Sequence, residues 1–204
     1  MNGLISKRTL TRLPVYLSYL KSMNDRPVKI SAAAISKELQ LNHVLVRKDL
    51  AAVGQGGRPR TGYITENLIG DIERFMGYKE IKSAVIVGAG KLGTALLDYE
   101  GFSEYGIEIV AAFDMHATAE GKTGKPVYPM NRLQEICSNL SVHIAVVTVP
   151  AEEAQPVADI LVDCGISAIW NFAPVHLNVP ETVLVQNENM GASLALLSKY
   201  LKRI

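Results

Sequence analysis

Two sets of residues in this chain have types and spacings that could do chemistry. The first is Gly88-Ala89-Gly90-Lys91-Leu92-Gly93, which directly follows an apolar run at residues 83–87 and opens a helical pattern over 94–99. Asp114 stands 21 positions beyond the last of these glycines, at the end of a second apolar run. A glycine triplet alone is a weak signal; between a strand and a helix, with an acid at that distance, it is the dinucleotide-binding pattern of a Rossmann unit. Gly88 allows the tight turn, Gly90 lets a pyrophosphate approach the backbone, and Gly93 lets the helix pack close to the sheet. The free N–H groups beyond them suit phosphate. Lys91 either adds charge to that site or is simply solvated. Asp114 can accept both ribose hydroxyls of an adenosine and would repel a 2′-phosphate, so NAD(H) is the expected cofactor.

The second set is basic. Arg47 and Lys48 are adjacent on a helical stretch, and Gly54-Gln55-Gly56-Gly57-Arg58-Pro59-Arg60-Thr61-Gly62-Tyr63 follows. Four glycines with two arginines among them suit a basic turn or wing and suit a helix poorly. Residues 1–80 hold 13 Lys and Arg against 7 Asp and Glu, while the remainder holds 8 against 13. Such a split suggests that the first part meets a polyanion and the second does not, although charge alone is equally compatible with a neutral protein of uneven surface.

Other chemistry is poorly supplied. The four histidines lack metal-ligand spacing, and Cys137 and Cys164 form neither a C-x-x-C pair nor a disulfide framework, so no metal is expected. His176 is the one candidate general base, and a packing or surface histidine is the commoner occupant of such a position. A hydride-transfer enzyme needs a substrate pocket and an acid–base group, and the 54 residues after Pro150 are mostly used by the second half of the sheet. The expectation is therefore binding without turnover.

The elements that must position these residues can be read from periodicity. Residues 9–24 read as a helix with Leu10, Leu13, Tyr16, Leu17 and Leu20 on one face and Pro14 near its first turn. Residues 28–30 are extended, Ser31 caps a helix to about Leu39 with Ala34, Ile35 and Leu39 inward, and Asn42 caps a third helix over 43–53. Val44, Val46, Leu50 and Val53 are assigned to the buried side of that helix, and Leu45, Arg47, Lys48 and Ala52 to the outer side. With the basic hairpin this is the order of a winged helix-turn-helix, and a helix over 66–79 leads onward. Strands over 83–87, 108–113, 142–147, 168–170 and 182–185, alternating with helices over 132–140 and 152–164, imply a parallel doubly wound sheet; residues 117–129 read as a loop. Asn189 caps a terminal amphipathic helix carrying Leu194, Leu197, Tyr200 and Leu201 in a stripe. That helix either packs on its own domain or docks on a second subunit; the pattern allows both.

Hydrophobic residues make up 48% of the 204, enough for a packed core. Lys7, Arg8 and Arg12 argue against a signal peptide, and no apolar stretch reaches the roughly 20 residues that span a bilayer. A soluble cytoplasmic protein without membrane partners is expected.

Taken together, several motifs resemble the Rex redox-sensing transcriptional repressors. They are Arg12-Leu13-Pro14-Val15-Tyr16-Leu17, Val46-Arg47-Lys48-Asp49-Leu50, the Gly54–Tyr63 wing, Val87 through Gly93, Asp98-Tyr99-Glu100-Gly101-Phe102, Thr148-Val149-Pro150 and Asn171-Phe172-Ala173-Pro174. The resemblance covers nearly the whole chain, in order. It implies an α/β protein with a winged-helix DNA-binding domain at 1–80, a Rossmann NAD(H)-binding domain at 81–188, and a helix at 189–204 swapped in a homodimer. It further implies a repressor that binds double-stranded palindromic operators when NADH is scarce and releases them when NADH binds, with NAD⁺ competing without release.

By that resemblance Lys29, Asn42, Leu45, Arg47, Lys48, Arg58 and Arg60 form the DNA-contacting set, the two wing arginines reaching phosphate or minor groove. Tyr99 would lie near the nicotinamide, Thr148 and Pro150 would border its pocket, and Met190 would approach from the partner's helix. Three departures from the family pattern involve four positions. Ser18 and Asn189 stand where an arginine and an aspartate form an ion pair, Leu45 where a polar base-reading residue is expected, and His116 where a second acid follows Asp114. Two other readings stay open on the residues alone: a small NAD-dependent enzyme with a helical accessory domain, and a regulator that binds CoA or another nucleotide.

Overall fold

The computed structural model describes residues 6–54, 57, 61–117 and 124–201, apart from the side chains of Lys7 and Tyr200. The chain forms two compact units, Met1–Glu80 and Ile81–Ile204.

In the first unit α1 spans Lys7–Ser22, with the Ser6 hydroxyl accepting from the Thr9 N–H as an N-cap. The helix starts two residues earlier than its periodicity suggests. Pro14 therefore lies in its interior, where the Leu10 carbonyl loses an N–H partner. A two-residue strand β1 (Lys29–Ile30) leads to α2 (Ala32–Glu38), capped by Ser31, and α3 (His43–Val53), capped by Asn42. The chain returns as β2 (Tyr63–Ile64), antiparallel to β1, and continues into α4 (Thr65–Met76), which ends on left-handed Gly77. Gly62 permits the return: its φ is +75°, and any Cβ there would run into the Ile30 carbonyl. Leu13, Tyr16, Leu17 and Leu20 of α1 pack with Ile35, Val46, Leu50, Leu68 and Ile72 into one core. Each such side chain contributes about 1.5–3 kcal/mol through burial.

The faces of the two inner helices differ in detail from their apolar patterns. Ala34 is exposed, and α2 buries Ala32, Ile35 and Ser36. In α3 Val44 is exposed, Leu45 and Val53 are half-buried, and the inward set is Val46, Asp49 and Leu50.

The second unit is built on β3 (Lys82–Val87), α5 (Lys91–Leu97), a 3-10 turn (Glu100–Tyr105), β4 (Ile107–Asp114), β5 (Val127–Pro129), a second 3-10 turn (Met130–Arg132), α6 (Leu133–Asn139), β6 (Ile144–Val147), α7 (Ala151–Asp163), β7 (Ala168–Asn171), β8 (Leu184–Asn187) and α8 (Met190–Leu201). Among the described residues its sheet has six strands, all parallel, in the order β5-β4-β3-β6-β7-β8. Strand β3 is apolar throughout its buried stretch because both sheet faces are covered. On one face Val85, Val87 and Phe113 pack with Leu133 of α6 and Ala154, Ala158 and Leu161 of α7. On the other, Ala84, Ile86 and Ala112 pack with Leu97 of α5.

Strand β5 lies within residues read from sequence as loop, because three residues bounded by prolines carry no alternating pattern. Helix α5 begins at Lys91, earlier than the Thr94 start expected, since the Gly90 carbonyl already accepts the Thr94 N–H. From β3 the chain runs outward through β4 and β5, then crosses back to place β6 on the other side of β3. The carboxyl ends of β3 and β6 therefore flank the switch point where ligands of open α/β sheets sit.

Candidate nucleotide and nucleic-acid sites

At the switch point the glycine loop is fastened from two sides. The Ala89 N–H donates to Asp114 Oδ2 at 2.7 Å, and the His116 N–H donates to Asp114 Oδ1 at 2.8 Å. Both oxygens keep lone pairs, so a carboxylate acceptor is held at the end of β4 in a fixed orientation. On the β6 side the Thr148 hydroxyl shares its proton between the Gly88 carbonyl at 2.7 Å and the Val87 carbonyl at 3.1 Å.

The three motif glycines answer to different demands. Gly88 has φ +101°, and a Cβ there would crowd Thr148 and Val149; at Gly93 a Cβ would run into the Gly88 carbonyl. The fold itself needs glycine at both. Gly90 has an ordinary φ of −68°, and a Cβ there would meet nothing within 4 Å. Among the described residues neither backbone conformation nor packing demands glycine at 90.

Beside the loop is a cleft of about 480 Å³ lined by Gly88, Asp114, Met115, Met130, Pro156 and Ile160, among others. Its walls are mainly apolar, Asp114 is held in a fixed orientation, and the exposed Glu152 and Glu153 stand at its edge; such a cleft is suited to a purine nucleoside. Lys91 is exposed at the first turn of α5, Leu92 is half-buried and Gly93 buried. Pro150 is exposed and precedes α7. The structure brings Gly88, Ala89, Asp114 and Thr148 together. Tyr99 and Met190 are not among the residues lining that cleft. Tyr99 is 55% exposed and packs edge-on against Phe102, with ring centroids 4.9 Å apart. Met190 begins α8, whose described residues are all exposed, Leu194 by 70%, Leu197 by 60% and Leu201 by 72%. The Asn189 side chain caps α8 by accepting the Ala192 N–H at 2.8 Å.

In the first unit Arg47 and Lys48 project from α3 into solvent, and Lys29 is exposed on β1. The Asn42 side-chain oxygen accepts from the Val44 and Leu45 N–H groups, and the residue is exposed. Arg58 and Arg60 lie outside the described residues. Burial pushes the Tyr63 hydroxyl above its usual range, while the positive charge of Arg47 draws it the other way.

Sequence reasoning missed the group that fixes α3. Asp49 is 3% exposed and accepts four hydrogen bonds: Arg12 Nε at 2.7 Å, Arg12 Nη2 at 2.8 Å, Tyr16 Oη at 2.8 Å and Thr9 Oγ1 at 3.0 Å. Burial alone would raise its pKa, but the Arg12, Tyr16 and Thr9 bonds outweigh burial and hold it below the usual carboxylate range. Tyr16 is pushed up to about 12 by burial and by Asp49. The available signal was position: Asp49 lies three residues after Val46 and four before Val53, on the inward side of the helix.

Groups for covalent or metal chemistry are few. Burial, with the neighbouring Cys164, pushes the Cys137 thiol to about 11, and burial with the Asp163 charge raises Cys164, so both stay protonated at neutral pH. His176 is exposed on the loop after β7. Among the described residues no group of three His, Cys, Asp or Glu could hold a metal, and no helix is long and apolar enough to cross a membrane.

Comparison with known proteins places this geometry. A family model described as "Putative DNA-binding protein N-terminus" matches residues 4–51, and one described as "CoA binding domain" matches 79–175. A Bacteroides thetaiotaomicron protein named redox-sensing transcriptional repressor Rex is 41% identical over 196 residues, spanning 95% of this chain and 89% of the relative. A Treponema denticola protein of the same name is 41% identical over 192 residues, spanning 93% and 91%. Among solved structures, RSP in complex with beta-NAD+ and operator DNA aligns with a TM-score of 0.90 at 30% identity, covering 98% of this chain and 94% of that one. RSP in complex with beta-NADH aligns with a TM-score of 0.85 at 30% identity, covering 98% and 96%.

Proposed function

The chain belongs to the Rex family of redox-sensing transcriptional repressors, and from that premise we propose that it binds operator DNA when NADH is scarce and leaves it when NADH occupies the glycine-loop cleft. The observation that carries the nucleotide part is Gly90, where open space and ordinary backbone leave an approaching pyrophosphate as the reason for glycine. Asp114 would hold the adenosine ribose, and its charge favours NAD(H) over NADP(H). The same carboxylate disfavours the 3′-phosphate of CoA, so a CoA regulator is the weaker reading despite the family description at 79–175.

Tyr99, Thr148, Pro150 and Met190 are assigned to the nicotinamide end. Arg47 and Lys48 are assigned to the DNA major groove, with Lys29, Asn42 and Leu45 beside them and Arg58 and Arg60 in the wing. The protein acts as a regulator without turnover, in the cytoplasm. A second copy of the chain covers the leucine stripe of α8, because a 12-residue helix with every described residue exposed does not hold itself in water. The dimer would present two recognition helices to a palindromic duplex.

The deciding test is fluorescence anisotropy on a duplex selected by the protein from a random-sequence pool. Adding NADH at fixed NAD⁺ should release the duplex. Retention of DNA at saturating NADH would remove the sensing role, and turnover of any 2-hydroxy acid or alcohol substrate would favour the enzyme reading instead.

A further inference from the structure

Tyr99 rests on a surface that only glycine provides. An ideal Cβ built on Gly101 would fall against Cε1, Cζ and the hydroxyl of the Tyr99 ring, closer than real side chains approach. The hydroxyl end of the ring therefore occupies the space a side chain at Gly101 would need, and the ring stands nearly perpendicular to that of Phe102. Phe102 itself packs edge-to-face with Trp170 of β7, with ring centroids 6.1 Å apart. One aromatic partner is anchored while the other, Tyr99, is more than half exposed.

We propose that Gly101 is a positioning residue for sensing: its missing side chain creates a resting place for Tyr99 that the ring must leave to meet the nicotinamide. This rests on the reading of Tyr99 as the residue beside that ring. The resting and engaged positions then compete. A ligand that needs the engaged position binds more weakly in proportion to the fraction of molecules already there. Gly101 sets that fraction, and so sets the NADH level at which the protein responds.

The position lends itself to a clean substitution. Gly101 does not have a positive φ, so alanine fits its backbone. The atoms a new methyl would meet belong to the far end of an exposed side chain, which swings away, rather than to backbone, which cannot. Gly101→Ala should therefore fold normally and displace only Tyr99. Losing an edge-to-face contact and its glycine seat should shift the balance by a few-fold, up to about tenfold.

The experiment uses the full-length protein as wild type, Gly101→Ala, Tyr99→Ala and the double variant. NADH binding is read from the cofactor's own fluorescence, operator release from anisotropy, and folding from the melting midpoint. Gly101→Ala should lower the NADH midpoint by that factor with an unchanged melt, and the double variant should match Tyr99→Ala alone. An unchanged or raised midpoint overturns the proposal. So does the same shift in the Tyr99→Ala background, since glycine would then act through something other than the ring. If the wild type keeps its operator at saturating NADH, the repressor reading fails separately, and the fluorescence titrations still decide the role of Gly101.

Discussion

Replacing Asp49 by asparagine tests how the recognition helix is held. The carboxylate is buried, grips Arg12 through both oxygens, and also accepts from Tyr16 and Thr9. Breaking one partner of a buried pair costs about 3–5 kcal/mol. The Arg12 side chain keeps 19% exposure, so water can recover part of its solvation, and asparagine retains one acceptor. The lower end, about 3 kcal/mol, is expected. For a unit of this size that is a fall of more than about 10 °C in melting midpoint. Tyr16→Phe removes one bond to the same carboxylate and should cost less, about 1.5 kcal/mol.

Acid and alkali separate the two residues further. Asp49 is held below its ordinary pKa, so its contribution is present above about pH 4 and is lost as pH falls through the lower folded value. Tyr16 is raised from 10.0 to about 12, so its contribution is present below pH 10.0 and is lost as pH rises toward about 12. Asp49→Asn should flatten the acid limb and Tyr16→Phe the alkaline limb, read by urea unfolding across pH. Operator affinity should fall in Asp49→Asn while NADH binding stays intact. A variant that melts within 3 °C of wild type (about half a kcal/mol) and keeps its acid limb would refute the account.

Three further outcomes follow from the sites. Asp114→Asn should weaken NADH binding about ten- to hundredfold through lost charge-assisted bonds and narrow the preference over NADPH, measured by isothermal titration. Lys48→Ala should weaken operator binding and reduce the slope of log affinity against log salt by about 1, with NADH binding unchanged. Ending the chain after Glu188 removes α8, and analytical ultracentrifugation should then show a monomer; a surviving dimer would mean that α8 is not the seam.

The glycine turn is legible in the sequence because its demands are local. Gly88 and Gly93 sit in a strand–turn–helix whose spacing is set by backbone geometry, and Asp114 closes the next strand, so counting residues is enough to expect the turn that the structure shows. The buried clamp of the first unit was not, because its partners lie 33 to 40 positions apart in the chain. A periodicity reading sorts residues by polarity, and so it set Val44 inward and left Asp49 without a place. Four hydrogen bonds reverse that order, since a satisfied carboxylate can occupy a core position that a valine beside it leaves. Strand β5 was lost for a different reason: three residues held by pairing to β4 have no pattern of their own.

The sequence motif assigns the three glycines different roles, and the structure shows what each position's surroundings are. Gly88 and Gly93 are required by the loop's own packing, and any protein with this turn would need them whether or not it bound a nucleotide. Gly90 and Gly101 differ in kind from those two. At 90 a side chain would meet only open space, and at 101 it would meet only a movable ring. Neither is required by backbone conformation, and neither is boxed in by the sheet or the loop. Under the proposed function these two would fall at the two ends of one dinucleotide, Gly90 at the pyrophosphate and Gly101 beneath the tyrosine that would meet the nicotinamide. The fold's own packing accounts for Gly88 and Gly93, and binding measurements on Gly90→Ala and Gly101→Ala are what would account for the other two.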